Sequence, residues 1–366
     1  MRWWQVYLAV WGTAAGLSAV LTYLCRRLAP RLGFMDRPLG EGHKRHSHAI
    51  PVLGGLAMLL AWLTVIAGGL LISNPLKQIL SNHIRFYLPG VQTVLPQLLT
   101  ITAGGIGLVI LGLVDDRKPL GPLPKLVGQF CVAGAVACWG VRVTLFWAHP
   151  LATWAITTFW ILLLINALNF FDNMDGLAAG TAAIAAFFFA FVAAVRGQHF
   201  VAVLAATTCG TASGFLAHNR PPAAIFMGDA GSHFLGYLLA VVGALSTFYT
   251  PAESPTPAPV LIPVLVLGLP IFDAVAVVLM RLHRRQPVYV GDHTHISHRF
   301  TNLGLTRAQA VLLVYLLSFT LGAGAISLLW LPPAGAVIVL LQSAAILAIV
   351  SLMQWFAHDA GRKNTC

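Results

Sequence analysis

Apolar residues in this chain come in blocks close to 20 residues long, separated by short polar segments. Eleven such blocks are recognisable, at roughly 4–25, 52–73, 93–114, 125–140, 151–169, 177–195, 200–217, 231–249, 259–280, 308–330 and 334–356. About 20 apolar residues wound as a helix cross the roughly 30 Å hydrocarbon core of a bilayer. Several blocks contain Gly or Pro, which membrane helices tolerate. The pattern predicts an all-α fold: a polytopic membrane helix bundle of about eleven transmembrane helices, forming a single domain over residues 1–366. The first block follows Arg2 and runs to Leu24. It is too long for a signal-peptide core and has no clear small-x-small cleavage site, so it reads as the first span. There is no internal repeat, and Pro251–Pro259 reads as an extended external linker.

Composition agrees with the pattern. Of the 366 residues, 58% are hydrophobic and only 9% charged, and the mean hydropathy is +0.81. Soluble domains carry about 25% charged residues, so this chain has too little charge to cover a wetted surface. A soluble globule and a disordered chain are both excluded. The net charge of +11 is the lysine and arginine excess of cytoplasmic loops, and no basic run with interleaved aromatics suggests a nucleic-acid partner. Arg2, Lys77, Arg85, Arg142 and Arg196 fall on one side of the predicted membrane; the remaining seventeen of the 22 basic residues fall on the other. That asymmetry predicts an external N-terminus and a cytoplasmic C-terminus. The five cysteines show neither a metal-ligand spacing nor a disulfide framework.

The eleven acidic residues carry the chemistry. Asp36, Glu41, Asp115, Asp116, Asp172, Asp175, Asp229, Asp273 and Asp292 all fall at or near the cytoplasmic ends of predicted spans. Carboxylates at a bilayer edge are costly and mark sites. Asp115-Asp116 end an apolar run; two adjacent carboxylates repel each other, and oxygen-only ligands suit a hard cation such as Mg2+, with Mn2+ as an alternative. Asn166, Asn169, Asp172 and Asp175 are spaced i,i+3, which on a helix makes a polar stripe leaving the membrane. Phe226-Met-Gly228-Asp229-Ala-Gly231-Ser232 sets an acid between glycines at the start of a span, whose N–H groups suit an anion. Asp292-His293-Thr-His295-Ile-Ser-His298-Arg299 is weak as a zinc site and fits phosphate recognition better. Asp36-Arg37-Pro38, His43-Lys44-Arg45-His46 and Pro51-Val-Leu-Gly54-Gly55 make a fifth cluster, at the entry to the second span.

From Asp36 to Leu305 these five motifs, in this order, resemble the polyprenyl-phosphate N-acetylhexosamine-1-phosphate transferases. The resemblance implies a bundle of ten or eleven helices in the cell's inner (plasma) membrane, with its active site on the cytoplasmic face. It implies transfer of a sugar 1-phosphate from a UDP-N-acetylhexosamine to undecaprenyl phosphate, with release of UMP, at the start of cell-envelope glycan synthesis. By the same resemblance Asp229 ligates Mg2+ and Asp116 supports the metal region. Asp115 orients or deprotonates the lipid phosphate. Phe226 stacks on uracil, Asp172, Asp175 and Asn169 hold the nucleotide, and His295, His298 and Arg299 grip the diphosphate or sugar. Asp36 belongs to the substrate-binding set, and Lys44 and Lys125 suit the lipid phosphate. A homodimer is compatible with the pattern.

Three positions depart from the family pattern. Asn173 stands where the family has Gly, Ser297 interrupts the histidine motif, and Arg117-Lys118-Pro119 follows the acid pair. The Phe226–Ser232 motif and the His295–Phe300 ending resemble the branch that uses GlcNAc 1-phosphate more than the phospho-MurNAc-pentapeptide branch of peptidoglycan synthesis. An ion-coupled transporter would spread its acids through the membrane midplane and show half-repeats, and this chain does neither.

Overall fold

The structure is a computed structural model that describes residues 2–36, 49–72, 82–87, 89–143, 149–287 and 295–363, with backbone alone at 83, 85 and 354–363. Lys44, Asp292 and His293 lie outside the described residues. In chain order the elements are α1 (Trp3–Leu32), β1 (Met35–Asp36), β2 (Ile50–Pro51), α2 (Gly54–Ile72), α3 (Asn82–Arg85), α4 (Gly90–Arg117), α5 (Pro122–Cys138), α6 (Pro150–Phe171) and α7 (Leu177–Val195). They continue as α8 (His199–Asn219), α9 (Gly228–Leu245), a 3-10 turn (Ala258–Leu261), α10 (Ile262–Val266), α11 (Gly268–His283), α12 (Ile296–Asn302), α13 (Arg307–Ser327) and α14 (Pro333–Lys363).

Each of the eleven predicted blocks contains a helix. Among the described residues, eight helices are long and apolar enough to cross a membrane, or nine if the pair around Leu267, bent by 71°, counts as one span. The other two blocks hold α5, a shorter apolar helix, and α9, whose first turns carry Asp229, Ser232 and His233. The protein is an all-α, multi-pass membrane protein. Its β structure among the described residues is small: β1 and β2 pair antiparallel, Asp36 opposite Ile50, and Val52 bridges to Phe226.

Helices α7 and α8 form the centre, with 67% and 72% of their apolar windows buried, against 22% for α1 and α14. Large apolar side chains such as Leu8, Phe159, Leu316 and Ile338 point outward, as lipid-facing residues do. Helices in lipid gain little from hydrophobic burial against one another, so close packing of small residues and polar contacts decide how they meet. Helix α1 lies along α8, where the Ser18 hydroxyl donates to the Thr211 carbonyl at 2.7 Å. Helix α4 meets α9 at Gly112, where a Cβ would run into the Ala230 backbone. That approach brings the last turn of α4 onto the first turn of α9.

Candidate active site

The C-terminal ends of α4, α6 and α8 and the N-terminal ends of α5, α7 and α9 converge, and the predicted acids sit there. Asp115 and Asp116 lie in the last turn of α4, directly before its final residue, Arg117. Asp116 accepts the backbone N–H groups of Asp229 at 2.8 Å and Ala230 at 3.3 Å. The anion at the α9 N-terminus is therefore the protein's own carboxylate. Such a cap stabilises a helix by about 0.5–2 kcal/mol and satisfies N–H donors that have no intrahelical partner. Gly228 makes the contact sterically open. Its φ is +67°, and a Cβ there would collide with the Asp116 carboxylate.

With its backbone held by Asp116, Asp229 turns its carboxylate to two other helices. Asn169 on α6 donates to Asp229 Oδ1 at 2.7 Å and to the Ser232 hydroxyl at 3.0 Å. The Lys125 ammonium on α5 donates to Asp229 Oδ2 and pairs with Asp115 Oδ2 at 3.4 Å. Asp115 Oδ1 accepts the Leu120 N–H at 2.7 Å, which closes the turn between α4 and α5.

The polar stripe expected through 166, 169, 172 and 175 is only half helical. Helix α6 ends at Phe171 with Asp172 as its C-terminal cap, and α7 begins after Gly176, whose φ is +78°. Asp172 and Asp175 thus belong to a short loop. Asp175 accepts the Ala223 N–H at 3.0 Å. Asn219 ties the same loop to the next one, accepting from Gly176 N–H at 3.0 Å and donating to the Ile225 carbonyl at 2.9 Å. Burial, then repulsion from Asp229, Asp116 and Asp175, pushes the Asp172 carboxyl up to about 8.

Phe226 follows on that loop. Its N–H donates to the Pro51 carbonyl at 2.9 Å, and its carbonyl accepts from Gly54 at 3.1 Å. This backbone zipper explains the Pro51–Gly55 motif: it seats the α9 entry against the α2 entry. Through the β1–β2 pair it also brings the Asp36 backbone into the same framework.

The histidine segment forms a further wall. His295 precedes α12 and is buried, with Nδ1 2.8 Å from Asp273 Oδ2. Asp273, on α11, also accepts the Ile296 N–H at 2.8 Å. A neutral His295 in this geometry carries its proton on Nδ1 and leaves Nε2 as its remaining ring nitrogen. His298 and Arg299 are on α12 and partly buried. Asp273 is among the acids that the sequence sets near cytoplasmic span ends, but no motif there gives it a site role. Its signal was being the one carboxylate in its apolar block.

The two departures at 173 and 297 touch. The Ser297 hydroxyl donates to the Asn173 side-chain carbonyl, while Asn173 Nδ2 donates to the Phe170 carbonyl at 2.9 Å. Together they fasten the histidine segment to the Asp172–Asp175 loop.

The donor set around Asp229 fits a hard divalent cation. All nearby acceptors are oxygens, and the Lys125 ammonium already lies between two of the carboxylates. No three His, Cys, Asp or Glu side chains converge on one point among the described residues. Mg2+ does not require such a cage, since it keeps waters and takes one or two carboxylates together with substrate phosphates.

Residues 98–247 match the model of the family described as "Glycosyl transferase family 4". A probable undecaprenyl-phosphate N-acetylglucosaminyl 1-phosphate transferase of Bacillus subtilis (strain 168) is 31% identical over 318 residues, covering 84% of this chain and 81% of the relative. A decaprenyl-phosphate N-acetylglucosaminephosphotransferase of Mycolicibacterium smegmatis is 28% identical, covering 95% and 92% of the two chains. A phospho-N-acetylmuramoyl-pentapeptide-transferase of Geobacillus kaustophilus is 34% identical, but over 63% of this chain and 72% of its own.

The Asn173–Ser297 contact is testable by a double-mutant cycle in thermal unfolding of the detergent-solubilised protein. Asn173→Ala and Ser297→Ala are each expected to destabilise, with a coupling of about 0.5–1.5 kcal/mol between them. Additive effects would show that the contact contributes nothing.

Proposed function

The chain belongs to glycosyl transferase family 4, and from that premise we propose that it transfers GlcNAc 1-phosphate from UDP-GlcNAc to undecaprenyl phosphate at the cytoplasmic face of the plasma membrane. The observation that carries this reading is the convergence of Asp115, Lys125, Asn169, Asp172 and Asp229 at one end of an apolar bundle. There a membrane-anchored phosphate and a water-soluble diphosphate can meet. The similarity to GlcNAc 1-phosphate transferases over 84–95% of the chain supports the sugar; the pentapeptide-transferase relative matches less of it. The basic-residue asymmetry and the gathering of alternate helix ends support the cytoplasmic placement, an external N-terminus and a cytoplasmic C-terminus.

The reaction is one phosphoryl transfer. An oxygen of the lipid phosphate attacks the sugar-bearing phosphorus and forms a new P–O–P bridge. The bond from that phosphorus to the oxygen shared with the uridine-linked phosphate breaks, and UMP departs with the electron pair. Asp115 orients the lipid phosphate and takes any proton it still carries. The Lys125 ammonium, held between Asp115 and Asp229, supplies the fixed positive charge beside it. Asp116 acts through the backbone, by keeping Asp229 at the mouth of α9.

Asn169, Asp172 and Asp175 hold the nucleotide side, and the partly buried Phe226 offers ring surface to the uracil. His295, with its tautomer fixed by Asp273, and His298 and Arg299 on α12 grip the diphosphate or sugar. Asp229, with Asp116 behind it, would hold a Mg2+ ion. When bound, that ion neutralises phosphate oxygens as charge shifts toward the leaving group. Asp36, whose backbone pairs with Ile50 at the α2 entry, belongs to the same substrate-binding set.

Purified protein with Mg2+ and undecaprenyl phosphate is expected to convert radiolabelled UDP-GlcNAc into a lipid product and UMP, and to leave UDP-MurNAc-pentapeptide unused. Asp229→Asn is expected to lower turnover at least about a hundredfold while the protein still inserts. No lipid product from any UDP-N-acetylhexosamine would overturn the reading.

A second expectation concerns pH. Asp172 titrates near 8 in the fold and near 4 in an unfolded chain, so the folded state binds the extra proton. Without divalent cation, stability should fall as pH rises from about 4 to about 8. Added Mg2+ should raise the melting temperature most at the alkaline end of that window, and Asp172→Asn should flatten the slope. A Mg2+ effect independent of pH would contradict the placement of the ion beside these carboxylates.

A further inference from the structure

One helical turn further into the bundle than the Lys125–Asp229–Asn169 contact lies a second polar layer, built from the same three helices. Gln129 follows Lys125 by four residues on α5. His233 follows Asp229 by four on α9, and Asn166 precedes Asn169 by three on α6. Asn166 Nδ2 donates to Gln129 Oε1 at 2.8 Å, and Gln129 Nε2 lies 3.1 Å from His233 Nε2. Gln129 and His233 are fully buried.

The protons in this layer follow from its anchor. Asn166 Nδ2 also donates to the Leu162 carbonyl at 2.8 Å, so its amide group cannot be turned over without setting two oxygens against each other. Gln129 must then present its oxygen to Asn166 and its N–H to His233. His233 Nε2 must accept, which places the ring proton on Nδ1 and leaves the imidazole neutral. That Nδ1 has no partner among the described residues. A ring that served packing alone would be better as an apolar side chain, which would strand no buried donor there.

We propose that Asn166, Gln129 and His233 are positioning residues that fix the register of α6, α5 and α9 and so the mutual placement of Asn169, Lys125 and Asp229. Sliding one helix by a single residue moves it about 1.5 Å along its axis, enough to break the amide–amide–imidazole chain. Apolar contacts in lipid tolerate such slippage; a directional chain of donors and acceptors does not. The activity arm of the test rests on the transferase reading above.

The test is a pair of substitutions at 233, assayed per mole of monodisperse protein. His233→Leu strands the Gln129 N–H and is expected to lower kcat at least about tenfold with KM for UDP-GlcNAc within about twofold. His233→Gln puts a neutral acceptor near the Nε2 position and is expected to restore kcat to within about threefold of wild type. Wild-type kcat in the Leu variant, or a Gln variant no better than Leu, would overturn the proposal. If His233→Leu does not fold, Asn166→Leu breaks the chain at its other end and is judged by the same limits. A second readout needs no substrate. In 15N-histidine-labelled protein at about pH 7, the resonance that disappears in His233→Gln should be that of a neutral Nδ1–H ring. An Nε2–H or protonated ring would overturn the proposal, whereas an inactive wild-type enzyme with the expected spectrum would overturn only the transferase reading.

Discussion

The site depends on the grip of Asp116 on the first turn of α9. The first N–H groups of a helix have no intrahelical partner, and each costs free energy where it is buried unpaired. Asp116 supplies the acceptor for two of them, and it can do so only because α4 and α9 touch at Gly112 and Gly228. Once α9 is seated, Asp229 projects to Lys125 on α5 and Asn169 on α6. The residues just before α9 fall into the backbone zipper with Pro51–Gly55. One carboxylate thus sets the position of another.

The electrostatics of the cluster follow from that seating. Lys125 is held between Asp115 and Asp229, with Asp116 on the α9 backbone and Asp172 and Asp175 in the adjoining loop, in surroundings that screen charge poorly. Burial, and then the neighbouring negative charge of Asp229, Asp116 and Asp175, lifts the Asp172 carboxyl well above its ordinary range. In the proposed chemistry, anionic phosphates brought to such carboxylates need further positive charge, which gives a divalent cation a physical reason to take part. On the other wall Asp273 is committed to His295 and the start of α12, and in the proposed chemistry His295, His298 and Arg299 are the groups that grip the diphosphate or sugar.

The helices and the acids were legible in the sequence because both signals are local. Blocks of apolar residues mark helices, and a carboxylate in so apolar a chain is conspicuous. What the sequence did not reveal is where helices stop and what crosses between them. The i,i+3 pattern through Asp175 reads as continuous helix, yet α6 ends at Phe171, where the chain must turn to bring Asp172 and Asp175 beside α8 and α9. The start of α9 at Gly228 rather than near Gly231 is set by the distant Asp116 carboxylate. The Asn173–Ser297 contact joins residues 124 positions apart, and Gln129 meets His233 across 104. No local period encodes either pairing. At the level of single residues, 173 and 297 looked like two unrelated departures; in the fold they are one contact.

The claim at the centre of this account is that Asp229, seated by Asp116, is where a divalent cation and the nucleotide diphosphate meet. Crystals of the protein grown with Mn2+ and a non-reactive UDP-GlcNAc analogue would test it through the anomalous signal of the metal. The account predicts one principal anomalous peak within coordination distance of an Asp229 carboxylate oxygen and of the analogue's phosphates. A principal peak elsewhere, with Asp229 still bound to Lys125 and Asn169 alone, would contradict it.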